Sequence, residues 1–248
     1  MLTEQRYEKI LDLLNQKGSI TVTEVKELLD TSESTVRRDI TALHKAGKLV
    51  KVFGGAVAAE HIMTTKEPTV DQKIELNTDE KRKIAAYAAT LIETDDFVFL
   101  DAGTTTGYMI DFLQGRKITV VTNAVAHAQR LAKMGIKVLL IGGELKSSTE
   151  AVVGNQAQET LRTYHFTKGF FGANGITKKT GYTTPDVGEA IVKKIAMEQC
   201  RERYVLADHS KIGEVSSVTF GEFQMADVIT EKIHPLLDGC ENVMIVLD

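Results

Sequence analysis

Phe97-Val98-Phe99-Leu100-Asp101-Ala102-Gly103-Thr104-Thr105-Thr106-Gly107 is the stretch on which the fold turns. Four apolar residues are too few for a helix, and they do not alternate with polar ones as a half-exposed strand would. A short continuous apolar run is the mark of a strand buried on both faces, as in a parallel sheet covered by helices. The pattern repeats on either side. A helical period over Lys81–Ile92 precedes this strand. A helix around Tyr108–Leu113 leads to Ile118-Thr119-Val120-Val121, and one around Ala126–Met134 leads to Lys137–Ile141. Further apolar runs lie at Gly169–Gly172, Tyr204–Ala207, Val228–Ile229 and Val243–Val246. Helices alternating with such strands predict a single α/β domain over residues 77–248, with a mainly parallel sheet.

In such sheets ligands bind beyond the carboxyl ends of the strands. Those ends carry the candidate ligand residues. The first offers Asp101, Gly103 and the hydroxyls of Thr104, Thr105 and Thr106, the second Thr122 and Asn123, and the third Gly142, Gly143 and Glu144. The fourth carries Gly172-Ala173-Asn174-Gly175, and the fifth Asp208-His209-Ser210-Lys211. Phosphate takes lysine and N–H donors, whereas sugar hydroxyls take carboxylates, amides and threonines. The mixture points to a phosphorylated polyol. Neither a dinucleotide fingerprint nor a P-loop string is present.

Upstream, residues 1–58 read as a separate small module, joined by a linker at 59–76. Tyr7, Ile10, Leu11 and Leu14 fall at helical spacing, with Gly18 closing the helix. Thr21-x-x-Glu24 has the form of a capping box ahead of Val25, Leu28 and Leu29. Ser32 can cap a third helix, on which Val36, Ile40 and Leu43 share one stripe. At about 100° per residue, Ser34, Arg38, Thr41 and Lys45 project from the opposite side, with Thr35 near the helix start and Arg37 on the flank. Guanidinium forks and hydroxyls are what base edges and phosphates accept. After Gly47, a strand-like run to Phe53 and the Gly54-Gly55 turn make a two-stranded wing bearing Lys48 and Lys51. Charge agrees: residues 34–58 hold five Lys/Arg against one Asp, in a chain whose net charge is -4. The module is a winged helix-turn-helix aimed at double-stranded DNA.

Composition narrows the rest. The chain has 248 residues, 43% hydrophobic and 26% charged, which excludes wholesale disorder and fibrous repeats. Its only cysteines, Cys200 and Cys240, offer no disulfide framework and no cysteine zinc site. No histidine has a metal-ligand partner at helical spacing, so no metal and no cofactor are expected. The absence of an apolar run of membrane length and of a signal-like start predicts a cytoplasmic protein with no membrane partner.

Ser32-Glu33-Ser34-Thr35-Val36-Arg37-Arg38-Asp39-Ile40 followed by Phe53-Gly54-Gly55-Ala56 resembles the DNA-binding domain of DeoR-family transcriptional regulators. The family usually carries His where this chain has Phe53, a departure that touches the wing. Lys81, Asp101–Thr106, Thr122-Asn123, Gly142–Glu144, Gly172–Gly175 and Asp208–Lys211 are similar to that family's sensor domain, itself similar to ribose-5-phosphate isomerase. The resemblance covers residues 1–232. It implies that Lys81 and the Thr104–Thr106 turn hold a phosphate, with Asp208 and Lys211 beside the sugar. Thr149-Glu150-Ala151 and Gly181–Asp186 are similar to repressors of fructose operons, which implies fructose 1-phosphate as effector. The related isomerase carries acids where this chain has Asn174 and Gly175. The expectation is therefore a sensor and not an enzyme, the alternative being an active isomerase using Asp101, Glu144, Asp186 or Glu189. One helix-turn-helix module binds DNA modestly, so a homo-oligomer, dimer or tetramer, is expected on repeated half-sites.

Overall fold

The computed structural model describes residues 2–17, 19–46, 48–52, 54–58 and 73–246. Gly18, Gly47, Phe53 and residues 59–72 of the expected linker lie outside the described residues. The chain divides into two compact units, Met1–Ile62 and Met63–Asp248.

In the first unit the helices are α1 (Thr3–Lys17), α2 (Val22–Leu29) and α3 (Glu33–Lys45). The strands are β1 (Ser19–Thr21), β2 (Leu49–Val52) and β3 (Gly55–Ala58). The capping box forms: the Thr21 hydroxyl accepts from the Glu24 amide at 3.1 Å, and the Glu24 carboxylate accepts from the Thr21 amide at 2.8 Å. Lys17 donates to the same carboxylate, and this set of donors, led by Lys17, pulls Glu24 down to about 2. Ile10, Leu14, Val25, Leu29, Val36, Ile40, Leu43 and Leu49 make the core. Leu28 is excluded from it and stays 47% exposed, because Val25 and Leu29, one turn apart, fix the buried stripe.

The wing has three strands rather than two, ordered β1-β3-β2 and antiparallel. A three-residue strand is too short to show periodicity in sequence, but it explains the paired glycines. Gly54 turns at φ 83°, and a Cβ on Gly55 would lie 2.0 Å from the Ile20 carbonyl oxygen.

The second unit opens with α4 (Thr78–Thr90), β4 (Phe97–Leu100) and α5 (Thr104–Met109). Then come β5 (Thr119–Thr122), α6 (Val125–Lys133), β6 (Lys137–Leu140), β7 (Glu144–Leu145) and β8 (Val152–Val153). After these follow α7 (Asn155–Arg162), β9 (Phe166–Gly172), β10 (Gly175–Thr177), β11 (Gly181–Thr184) and α8 (Val187–Glu198). The unit closes with β12 (Cys200–Leu206), β13 (Val218–Gly221), β14 (Asp227–Thr230) and β15 (Val243–Ile245). Seven strands form one wholly parallel sheet, ordered β15-β14-β12-β9-β4-β5-β6. Each face carries its own core. Val98, Leu100, Val120, Phe170 and Leu206 pack on the side of α4, whereas Phe99, Val121, Phe171 and Val205 pack on the side of α8. That two-sided burial is why the strands read as unbroken apolar runs. A small antiparallel sheet, β10-β11-β13, adds to the second face.

Strand order sets the position of the site. From β4 the chain moves outward to β5 and β6, then returns to lay β9 on the other side of β4. The loops after β4 and β9 leave in opposite directions, and the crevice between them is the topological switch point.

Candidate functional site: a cationic helix face and a switch-point cavity

On α3 the Ser32 hydroxyl accepts from the Thr35 amide at 3.3 Å and bonds the hydroxyls of Ser34 and Thr35. Val36, Asp39, Ile40 and Leu43 face inward. Asp39 is buried and gripped by two nitrogens of Arg6, at 2.7 and 3.1 Å, which ties α1 to α3. The Asp39 hydrogen bond is the main cause of a rise in Arg6 above its ordinary value. With that side anchored, Ser34, Arg37, Arg38 and Lys45 are exposed and Thr35 is half-buried. Arg37 meets Glu33 at a loose 3.4 Å. Thr41 is occupied: its hydroxyl donates to the Arg37 carbonyl and accepts from Lys51 on β2 at 3.0 Å, so the wing braces the helix. His44 joins that brace, its Nδ1 lying 3.2 Å from the Leu49 carbonyl oxygen. Arg6 and His44 were not legible in the sequence as supports.

In the second unit a cavity of about 590 Å³ opens at the switch point. Of the sequence-predicted ligand residues, Lys81, Gly103, Thr104, Thr105, Asn174, Asp208 and Lys211 line it. Gly103 and Gly172 let the two loops close up, since a Cβ on Gly103 would lie 3.7 Å from the Gly172 Cα.

Four predicted residues lie just behind the wall and brace it. Asp101 is buried, accepts from the Gly172 amide at 3.0 Å, and pairs with Lys193. The Thr106 hydroxyl is tied to the Asp101 and Gly103 backbone. Thr122 accepts from the Ala124 amide, and Asn123 accepts from the Ala102 amide at 2.9 Å. Gly142, Gly143 and Glu144 do not line the cavity. They follow β6, an edge strand two places from the crevice, and turn the chain into β7. There Gly143 takes φ 150°, and a Cβ would lie 2.4 Å from the Val153 carbonyl oxygen.

Other residues complete the lining. Lys73, Ile74 and Asn77 come from the segment before α4, Thr149 and Glu150 from the β7–β8 turn, and Glu189 and Lys193 from α8. Lys81 is buried, and its ammonium donates to the Lys73 carbonyl. Burial pushes Lys81 below the usual lysine range; Asp208 opposes that shift, while Lys211 and Lys73 add to it. Asp208 accepts from Asn77 at 2.8 Å and from the Ser210 amide at 3.0 Å. Lys146 bridges Asp186 at 3.1 Å and Glu189 at 3.0 Å. Burial alone would raise Asp186, but the Glu189 amide and Lys146 outweigh it and hold it low. His127 is buried at the cavity wall, its ring over Gly107 and its Nδ1 without a hydrogen-bond partner. Burial, helped by Arg130, pulls this imidazole down to about 4 and keeps it neutral.

The cavity thus gathers lysines (Lys81, Lys193 and Lys211), carboxylates (Asp208 and Glu189), an amide and hydroxyls in one lining. Among the described residues there is no group of His, Cys, Asp and Glu able to hold a metal ion, and no helix long and apolar enough to cross a membrane.

Comparison with known proteins accounts for both units. A DeoR-like helix-turn-helix domain matches residues 6–61, and a DeoR C terminal sensor domain matches residues 76–232. The chain is 41% identical over 237 residues to the uncharacterized HTH-type transcriptional regulator FruR of Bacillus subtilis, covering 95% of this chain and 94% of that one. It is 36% identical to the lactose phosphotransferase system repressor of Streptococcus mutans, over 93% of each chain. It is 35% identical to the HTH-type transcriptional repressor GlcR of Bacillus subtilis, over 94% and 90%. Among solved structures, ribose 5-phosphate isomerase A from Methanocaldococcus jannaschii aligns over 55% of each chain at 20% identity and a TM-score of 0.42, a likeness that says nothing of activity. With both of its units matched, this chain belongs to the DeoR family of transcriptional regulators.

Proposed function

We propose that the chain represses a sugar-utilisation operon, a fructose operon by its sequence strings, and that a phosphorylated sugar, fructose 1-phosphate, releases it from DNA. The observation that carries this reading is a cavity at the switch point in which Lys81 and Lys211 stand with Asp208, Asn174 and threonine hydroxyls. The same chain presents Arg37 and Arg38 to solvent on a capped helix. Relatives named as repressors support the direction of control. Two copies or more would read repeated half-sites.

A route for the signal follows from Lys81. Its ammonium is satisfied by the backbone carbonyl of Lys73, and Lys73 falls within the expected 59–76 linker. Tyr108 holds the next carbonyl, that of Ile74, at 3.2 Å. A phosphate reaching Lys81 competes with the Lys73 carbonyl, so effector binding favours a different setting of this segment. A ligand shifts an equilibrium only through such differential contacts.

The same residues argue for sensing over turnover. Asn174 is an amide and no base, and Asp101 is committed to Lys193 and the Gly172 amide. Incubation with fructose 1-phosphate and ribose 5-phosphate should leave both unchanged; turnover at ordinary enzyme rates would reverse this choice.

The direct test is a thermal-shift screen of fructose 1-phosphate, fructose 1,6-bisphosphate and tagatose 6-phosphate. A ligand at 100 times its Kd adds about 2.7 kcal/mol to the native state, so the true effector should raise the melting temperature clearly. Lys211→Ala should keep operator affinity and lose the response to that effector. Normal release of this variant by fructose 1-phosphate would show the pocket to be misplaced.

A further inference from the structure

We infer that Glu189, on α8, reads the hydroxyls of the effector and thereby sets which phosphorylated sugar is accepted. The inference rests on the sugar-phosphate reading above and goes further, to a residue of the selectivity wall.

Glu189 lines the cavity at only 7% exposure. Its position is fixed from two sides. Asp186 caps the helix and accepts from the Glu189 amide at 2.8 Å, and the β7–β8 turn is pinned to its carboxylate by Lys146 at 3.0 Å and by the Thr149 hydroxyl. Among the described residues both side-chain bonds fall on Oε1. No described donor is bonded to Oε2, which keeps its acceptor capacity on a residue that lines the cavity. A ligand hydroxyl in the cavity is a donor that fits it.

Charge decides which part of the ligand it is. A carboxylate accepts hydrogen bonds and repels a phosphate dianion, whereas a sugar hydroxyl donates. Lys193, also on α8, is already paired with Asp101 and bonded to the Gly172 carbonyl, and Lys146 is paired with Asp186 and Glu189. The phosphate therefore lies toward Lys81 and Lys211, and the hydroxyl chain against α8. Asn174 supplies the complement: its Oδ1 accepts from Thr184 at 3.3 Å, which leaves the NH₂ group to donate to a hydroxyl oxygen. A carboxylate acceptor and an amide donor in one wall discriminate by the position of adjacent hydroxyls, a task that a ring of lysines performs poorly.

The test is calorimetric titration of the full chain with fructose 1-phosphate and, separately, inorganic phosphate, in wild type, Glu189→Gln and Glu189→Asp. Wild type should prefer the sugar phosphate. Glu189→Gln should weaken fructose 1-phosphate by about 10- to 100-fold, as expected for one hydrogen bond to a charged group, and leave inorganic phosphate within roughly twofold. Glu189→Asp keeps the charge but draws the carboxylate back by one methylene, so it should lose the same preference even if the Gln variant folds poorly. An unchanged ratio of the two affinities in either folded variant, or an equal loss of both ligands, overturns the inference. Absence of any preference in wild type would instead sink the sugar-phosphate reading, and this inference with it.

Discussion

The helix face and the cavity both gather cations, yet they keep them in opposite conditions. On α3, Arg37, Arg38 and Lys45 are exposed, and Arg37 has only a loose tie to Glu33. In the cavity, Lys81 and Lys193 are buried, each bonded to a carbonyl, and Lys193 also to Asp101. A duplex brings its own charge density, and hydrated side chains meet it by releasing counterions. A small ligand offers one phosphate and a few hydroxyls, so its site has to be dry and its charges paired beforehand. The consequence is that charge removal should damage stability in one region and affinity in the other.

The sharpest form of that contrast is Asp101→Ala. It leaves the Lys193 ammonium buried without its counter-charge and deprives the Gly172 amide of an acceptor. Breaking a buried pair from one side costs about 3–5 kcal/mol, which should appear as a loss of stability in denaturant unfolding of the second unit. A loss no larger than that of a surface substitution would place this pair among the exposed ones and erase the distinction.

His127 extends the comparison to pH. Burial holds its pKa at about 4, below the ordinary value of 6.5, so the folded state refuses a proton that the unfolded state takes. Between those two values the unfolded chain binds more protons, and stability falls as pH falls; the penalty begins below 6.5 and is complete near 4. Its full size is about 3 kcal/mol. Carboxylates titrate in the same window, so the measurement is the difference between wild type and His127→Leu. The variant should show the shallower decline, and parallel curves would remove His127 as the cause.

The two regions also differed in how far sequence alone disclosed them. The helix face is local: Ser32, the Val36–Ile40–Leu43 stripe and Arg37-Arg38 all fall within one element, and helical geometry orients them. The cavity is assembled across the sheet. Lys193 meets Asp101 from 92 positions away, and residues on a covering helix give no sign in sequence of turning a charged flank toward the strand ends. Only the i, i+4 spacing of Glu189 and Lys193 behind the Asp186 cap could have hinted at it. The Gly142–Glu144 turn shows the converse. It follows a strand as a ligand loop should, but sheet order, which is not written in local pattern, puts that strand at the edge. β1 escaped notice because three residues carry no period.

The smallest effect belongs to the exposed side and tests it most directly. Arg38 is exposed, and no hydrogen bond ties its guanidinium to the described residues, so Arg38→Ala should change stability by no more than about 0.5 kcal/mol. Operator affinity should nevertheless fall by about 1–3 kcal/mol if its guanidinium reads a base edge, with discrimination relaxed at one position of the site. Lys45→Ala is the control: a phosphate contact lowers affinity for all sequences alike and reduces the salt slope by about one. Fluorescence anisotropy on operator and scrambled duplexes across a salt series separates the two. If Arg38→Ala behaved as Lys45→Ala does, the α3 face would grip the backbone without reading it, and sequence preference would have to come from the Ser34–Thr35 hydroxyls or from duplex deformability.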